Sequence, residues 1–532
     1  MVWHLATLQS LTLQNFQSIR DFTCIPIREV TLLYGPNSAG KSALADALIY
    51  LDDVLHTGGS FQFEKWFRRE QQSPPELMVV GAAYDIAGGV ERGLDFGPSS
   101  PLPFELIYDH DGDGWPWWWR QDSENELAIE IQTTRRRYQY VSRVQLTLNG
   151  DLVAECESDE GHEHTLTFYP AAFGDRFIEL FSDAGLDAPQ DLNAPIIFNV
   201  NVDAGPLRLL PELFDPAQDD PEQYRAIRQF VNHFLSMARK CARSSLPSRN
   251  GPDRGLIRDH ELSVFERFGK DSNTGRLRSL DALETKTNIN QGLAKVATSF
   301  LQETLQKEAR DLEQVASRLQ AKYGLSTTPF GPNGRLHEFV NRCLSDHLFL
   351  DQGYQLRADV HPLSTAGSVE LGATEEWQAY VTAMYLVDRQ GDTLTFEDVG
   401  TGLSCVVPVL IDLYEQFSFV QQPELHLHPA LQSALGDVLV EGSQYRKKRQ
   451  VVETHSEYLL LRCLRRIRDT FNDRPARQSL PLTPDKVAVL YFDPQPDGST
   501  QIREIRLSAR GDFLDRWPRG FFEERGKDLF DE

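Results

Sequence analysis

The chain has 532 residues, 40% hydrophobic and 25% charged, which are ordinary proportions for globular protein in a length that exceeds one core of usual size and so predicts two or three lobes. Its 54 Lys and Arg are outweighed by 78 Asp and Glu, and the net charge of −24 opposes indiscriminate adhesion to nucleic acid. No apolar run approaches the ~18 residues needed to cross a bilayer, and the opening MVWHLATLQS lacks the basic start and small-residue site of a secretory leader, so a cytoplasmic location without a membrane partner is expected.

In chain order, LQSLTLQNF and DFTCIPI read as paired strands, followed by the apolar strand EVTLLYG, a glycine-rich turn and the helix SALADALIYLDDVL. Strand, loop and helix in that succession predict an α/β core. ELMVVGAAYDIA, LPFELIYD, ELAIEIQTT, RVQLTLNG and TLTFYP read as short strands of a meander, a β-rich flank on that core. Within this flank Asp109, Asp111 and Asp113 imitate the start of a calcium loop, but the twelfth position is Arg120 where glutamate is needed. The run Trp115-Pro-Trp117-Trp118-Trp119 suits either a hydrophobic hairpin packed on the β-lobe or a stacking surface.

From about Pro221 to Asp346 the pattern turns polar and helical, interrupted by the linker SSLPSRNGPDRG. Residues 221–290 hold 13 Lys/Arg against 8 Asp/Glu, a local basic surplus that is either a DNA-contacting patch or a solvated helical face. Leu293, Val296, Phe300, Leu305, Ala309, Leu312, Val315, Leu319 and Tyr323 recur at helical spacing, as in one limb of a short antiparallel arm. After the middle, helix TGLSCVVPVLIDLYEQF, strand SFVQQ, helix HPALQSALGDVLVEG, strand QVVET and helix SEYLLLRCLRRIRDTF alternate at βα spacing. The expected division is 1–215 for the first part of an α/β core, 216–345 for a helical insertion or arm, and 346–532 for the rest of the core. The six cysteines are widely spaced and form no CxxC pair, so they read as reduced, mostly buried thiols.

Gly35-Pro36-Asn37-Ser38-Ala39-Gly40-Lys41-Ser42 satisfies G-x-x-x-x-G-K-[ST] between an apolar strand and a helix. Its glycines let backbone N–H groups close around phosphate oxygens at a helix N-terminus; Lys41 would reach the β- and γ-phosphates of ATP and the Ser42 hydroxyl would coordinate Mg2+. His426 and His428, even with His455, lack the ligand spacing of a zinc site.

The C-terminal half resembles the ABC-type ATPase heads of the SMC/RecF/OLD superfamily, in particular bacterial defence ATPases of the Septu kind. The resemblance rests on Asp398-Val-Gly-Thr-Gly402-Leu-Ser404 as signature motif, Val420–Pro429 as Walker B and D-loop, and Glu453-Thr-His455-Ser-Glu as switch-histidine strand end. Gly205-Pro-Leu-Arg208 and Trp517-Pro-Arg-Gly-Phe-Phe522 are similar to motifs of one bacterial branch. The resemblance implies an α/β ABC-type head with a β-rich flank and an inserted helical lobe or short coiled-coil arm. It also implies that ATP is buried between two copies, with the signature segment around Gly402 and Ser404 facing the partner's γ-phosphate and His455 contacting that phosphate.

The same pattern places a Mg2+-associated acid at 421 and a water-activating acid at 422, where this chain has Gln421 and Gln422. Glutamine carries no charge and accepts no proton at neutral pH, so binding should survive while hydrolysis suffers. Gln421 reads either as an introduced replacement of glutamate or as a natural drift towards a binding-only site; Glu424 is a substitute acid or a D-loop element. Gln71 and Gln72 are the candidates for a Q-loop. By resemblance, the expected function is an ATP-gated homodimeric sensor or scaffold for a separate effector such as an HNH nuclease in anti-phage defence. The alternative is a RecF-like DNA repair clamp that grips duplex through residues 221–290. A built-in nuclease domain is not expected after His455, and a transporter ATPase fits the motifs less well.

Overall fold

The structure is a computed structural model. It describes residues 6–56, 77–86, 126–135, 139–159, 163–173, 193–200, 263–270, 277–282, 336–363, 378–396, 398–414, 417–446, 449–474 and 480–518, with scattered positions between 231 and 246 and residues 296, 299 and 300. In chain order the strands and helices are Thr7–Gln14 (β1), Thr23–Pro26 (β2), Val30–Tyr34 (β3), Ala43–His56 (α1), Leu77–Asp85 (β4), Glu126–Arg135 (β5), Gln139–Leu148 (β6), Asp151–Asp159 (β7), Glu163–Phe168 (β8) and Ile196–Val200 (β9). They continue with Ser263–Lys270 (β10), Leu277–Ala282 (β11), Leu336–Arg342 (α2), Gln355–Leu363 (β12), Gln378–Val387 (β13), Thr393–Leu394 (β14), Thr401–Tyr414 (α3), Phe417–Gln421 (β15), Pro429–Arg446 (α4), Arg449–Glu453 (β16), Glu457–Phe471 (α5), Val487–Pro494 (β17) and Thr500–Glu504 (β18).

The chemistry-bearing sheet has the order β15-β16-β3-β17-β18, parallel across its first four strands and closed by antiparallel β18. Parallel strands are covered on both faces, which is why β3 reads VTLLY and is buried throughout. Its side chains divide by parity between two cores. Val30, Leu32 and Tyr34 join Val420, Val452, Val489 and the apolar faces of α3, α4 and α5. On the opposite face Leu33 joins Phe419, Val451 and Leu490 with Leu44, Leu48 and Leu51 of α1.

That second core continues into an eight-stranded antiparallel sheet of order β2-β1-β4-β5-β6-β7-β8-β9. Leu127, Ile129 and Ile131 of β5 point into it at every second position, as half-buried strands require. The expected strands of the flank appear as β4, β5, β6 and β8, and the opening pair β1 and β2, expected beside the α/β core, joins the same sheet. LPFELIYD, the aspartate run at 109–113 and the tryptophan run lie outside the described residues, as do Gln71, Gln72 and Gly205–Arg208. β7 and β9 were not anticipated: DLVAECESD is rich in acids, and a register shift against β6 at Val153 breaks the alternation of its buried residues Val153, Ala154 and Cys156.

The helical middle needs correction. Residues 263–282 form β10 and β11, and β10 pairs along its length with β13, so one antiparallel sheet, β11-β10-β13-β12 with β14 on β13, crosses the expected boundary at 345/346. SVFERFGK alternates apolar and polar residues, and its charges made it read as a helical face; strand partners more than 100 positions downstream decided otherwise. The only described positions of the 293–323 stripe are 296, 299 and 300; Val296 and Phe300 are buried, with Phe300 stacked on His337 at 4.3 Å between centroids. The rest of that stripe, and most of the basic 221–290 segment, lie outside the described residues. α2 runs into a wider turn, Cys343–Leu348, closed by a bond from the Phe349 N–H to the Leu344 carbonyl at 2.8 Å. Among the described residues no helix is long and apolar enough to cross a membrane, and the six cysteines are free thiols, four of them buried.

Candidate functional site

β3, β16 and β15 end together because parallel strands deliver their carboxyl ends to one edge, and the loops that follow carry the motifs. After Tyr34 the chain enters the P-loop through Gly35, whose φ of 139° and approach to Phe492 exclude any side chain: a Cβ would lie 2.6 Å from the Phe492 carbonyl oxygen. Gly40, at φ 84°, is pressed onto the Ser18 hydroxyl in the same way. The loop also holds Ser38 at φ 62°. Ala39 donates its N–H to Pro36 and Ala43 donates to Gly40; among the described residues, the N–H groups of Ser38, Gly40, Lys41 and Ser42 make no such bond. Those amides, with Asn37, Ser38 and Ser42 exposed, form the concave donor set that phosphate oxygens fit.

Lys41 lies at the centre and is only 3% exposed. Its Nζ donates to the carbonyls of Gly35 at 3.0 Å and Pro36 at 2.8 Å, and stands 3.6 Å from Oε1 of Glu453. Burial lowers its pKa, while the Glu453 carboxylate opposes that shift. The ammonium is therefore held back on its own loop by two neutral acceptors and one anion.

Glu453 ends β16 and is partnered in parallel register with Gln421, the last residue of β15. The Gln421 amide donates to Oε2 of Glu453 at 3.3 Å, and the Gln422 N–H donates to the Glu453 carbonyl at 2.6 Å. Gln422 itself takes φ 44°, in the left-handed region unusual for a residue with a side chain. It starts a tight reversal in which Leu425 bonds back to Gln422 and Leu427 to Glu424. The structure thus sets Lys41 and Gln421 on the carboxylate of Glu453 and the Gln422 N–H on its main-chain carbonyl; the sequence reading named this residue only as the start of the switch-histidine motif. Its signal was present: Glu453 is the one charge closing the apolar run QVVE, and only the strand order reveals its neighbours.

His455 follows two residues later with an exposed side chain; partial burial and the nearby Lys41 charge lower its pKa, favouring neutral imidazole. Its N–H donates to Oε1 of Glu424 at 2.7 Å. Glu424 is 8% exposed, and burial raises its pKa despite this bond. Ser456 then caps α5, accepting from the Leu459 N–H at 3.3 Å while its hydroxyl donates to Gln432 at 2.7 Å. Beneath the loop, Tyr34 donates its hydroxyl to the Ser456 carbonyl at 3.0 Å, and Trp517 stands edge-on to Tyr34, Tyr491 and Phe513. Trp517 and Pro518 are the described part of the C-terminal motif.

The signature segment lies beside the loop that follows β15. Gly402 packs where a Cβ would meet the His426 carbonyl at 3.2 Å, so the start of α3 lies on the loop after β15. Ser404 is 2% exposed and turns its hydroxyl to the Phe396 carbonyl at 3.5 Å. Ser404 lies one turn into α3, on the side of buried Leu403 and Val407. The exposed groups at that helix start are Gly400 and Thr401, and nothing lies within 4 Å of a Cβ built on Gly400. Among the described residues no hydrogen bond joins Ser404 or Gly402 to the P-loop, and no cluster of three His, Cys, Asp or Glu is suited to a metal.

Comparison with known proteins finds similarity over parts of the chain. Residues 10–51 match the family model "AAA domain", residues 225–462 match "AAA domain, putative AbiEii toxin, Type IV TA system", and residues 482–531 match "Protein of unknown function (DUF3696)". The DNA replication and repair protein RecF of Nitrosococcus oceani is 32% identical over 89 residues, 17% of this chain and 23% of that protein, so the match spans about a quarter of the relative. Among solved structures, the SMC head domain from Thermotoga maritima is 10% identical with a TM-score of 0.37, over 94% of this chain and 100% of that one. An Smc head domain from Pyrococcus yayanosii is 11% identical with a TM-score of 0.37, over 95% and 98%. Over residues 10–51 and 225–462 the chain is thus similar to AAA-domain ATPases, and over 89 residues to RecF.

Proposed function

We propose that this chain binds ATP with Mg2+ at the P-loop edge, closes head to head with a second copy over the bound nucleotide, and hydrolyses it very slowly or not at all. The observation that carries the reading is the pairing of a complete phosphate cradle, with buried Lys41 at its centre, and a facing strand end at which Gln421 and Gln422 are neutral. On binding, Lys41 exchanges the Gly35 and Pro36 carbonyls for phosphate oxygens, and the exposed Ser42 hydroxyl is placed for the metal. Mg2+ would neutralise phosphate charge there. Residue 422 has no proton-accepting side chain with which to activate water.

In the closed dimer the start of α3, with Gly400 and Thr401, is the surface offered to the partner's nucleotide, and His455 lies at the same edge. Because ATP would bind two heads better than either alone, it shifts the population towards the dimer. Such a head serves as sensor or scaffold for a separate effector nuclease in anti-phage defence, a role supported by the Septu-like motifs. A RecF-like DNA clamp is the second reading, favoured by the RecF match and by the basic surplus of residues 221–290.

Phosphate release from the full chain and from its Gln422→Glu and Gln421→Glu/Gln422→Glu variants tests the catalytic part. An acid at 422 should accelerate turnover by about 100-fold or more, the typical contribution of a placed general base. A parent rate that neither variant changes would remove the argument from the missing acids. Duplex binding measured against salt separates the two biological readings, since a DNA clamp loses affinity steeply as salt rises.

A further inference from the structure

We propose that Glu453 is the carboxylate that serves the nucleotide's Mg2+ in this chain, taking the part of the acid absent at position 421; the inference rests on the P-loop holding ATP with Mg2+. Register is the first argument. Gln421 and Glu453 are Cα partners on adjacent parallel strands, so their side chains leave the same face of the sheet at the same height, about 4.8 Å apart. β16 lies between β15 and β3. Moving the negative charge from 421 to 453 therefore shifts it one strand towards the P-loop, and it remains within reach of the same phosphate edge.

Chemistry is the second argument. Mg2+ in nucleotide sites is held by one or two carboxylates together with phosphate oxygens and water, so a site of this kind needs no cluster of three acids. Glu453 is 9% exposed, keeps Oε1 3.6 Å from Lys41 Nζ, and accepts the Gln421 amide on Oε2 at 3.3 Å. The other buried carboxylate of this edge, Glu424, accepts the His455 N–H on Oε1, and its Oε2 is buried with no hydrogen-bond partner among the described residues. Among the described residues no ion pair joins it to Lys41.

This assignment also gives Gln421 a physical reason. A glutamate there would face Glu453 in parallel register and set two carboxylates against each other in a buried site, where like charges cannot both ionise cheaply. The amide instead donates to Glu453 and aims it. Gln421 is then the positioning partner of a displaced carboxylate. When nucleotide arrives and Lys41 turns to phosphate, Glu453 is released from the ammonium and becomes available to the metal.

The test measures how much Mg2+ tightens binding of a fluorescent ATP analogue to the full chain, with bound Mn2+ read separately by its paramagnetic resonance signal. In the parent, Mg2+ should tighten binding clearly. Glu453→Gln should lose about tenfold or more of that gain and of Mn2+ affinity, while metal-free affinity is unchanged or improved. The exchanged chain, Gln421→Glu with Glu453→Gln, should recover both, and it carries the test alone where the single variant does not fold.

An undiminished Mg2+ effect in folded Glu453→Gln, or no recovery in the folded exchanged chain, overturns the role of Glu453 and leaves ATP binding standing. A parent that binds no ATP at all overturns the nucleotide reading and this inference with it.

Discussion

The five-stranded parallel sheet and the eight-stranded antiparallel sheet share a core, yet only the first carries the candidate site. Parallel strands β3, β15 and β16 all finish at one edge, so their following loops deliver Lys41, Gln421, Gln422, Glu453 and His455 to a single place. In the antiparallel sheet each neighbour ends at the opposite edge. Its alternating side chains go instead to filling the layer against α1, with Leu146, Cys156 and Phe168 fully buried or nearly so. Burial of apolar residues therefore supports chemistry in one region and stability in the other, and the two can be separated by mutation.

The largest effect should come from the antiparallel side. Phe168→Ala empties the space of a ring that is 0% exposed and stacked on Phe173, and should destabilise by about 3–5 kcal/mol. Thermal unfolding reads that loss, and nucleotide affinity at a temperature where the chain is folded should stay as it was. Lys41→Ala should do the reverse, weakening ATP by about 100-fold through loss of the charged donor with little change in the melting midpoint. Equal losses of stability and affinity in both variants would erase the division between the sheets.

Smaller effects sharpen the picture within the parallel edge. Thr401→Val, at the exposed start of α3, should weaken ATP-driven dimerisation measured by sedimentation, by a few-fold to about tenfold for one lost hydrogen bond. Ser404→Ala should leave ATP-driven dimerisation unchanged, because its hydroxyl is turned inward to Phe396; its cost, about 1 kcal/mol or less, should appear only in stability. A loss of dimerisation confined to Ser404→Ala would reverse that assignment.

Much of this division was legible beforehand. VTLLY is an almost continuous apolar run, and FSFVQ and RQVVE are short strands with buried apolar centres, the mark of strands covered on both faces; each meets a glycine-, proline- or histidine-bearing turn where a parallel strand should end. The P-loop could be placed to the residue because its chemistry is local: Gly35 and Gly40 are dictated by backbone angles within eight positions. What escaped was non-local. β10 looked helical until β13 paired with it, and Glu453 had no role until the sheet order set it between Gln421 and Lys41. The burial of Ser404 was not legible for a related reason, since sequence fixes its position in the motif while the packing of α3 fixes which side of the helix is covered.

The central claim is that the cradle keeps its ATP intact, and the most direct measurement identifies the nucleotide that remains bound after prolonged incubation of the full chain with ATP and Mg2+. After removal of free nucleotide and denaturation, the account predicts protein-bound nucleotide recovered mainly as ATP, with Lys41→Ala retaining little. Recovery mainly as ADP, or retention by Lys41→Ala equal to the parent, would contradict it.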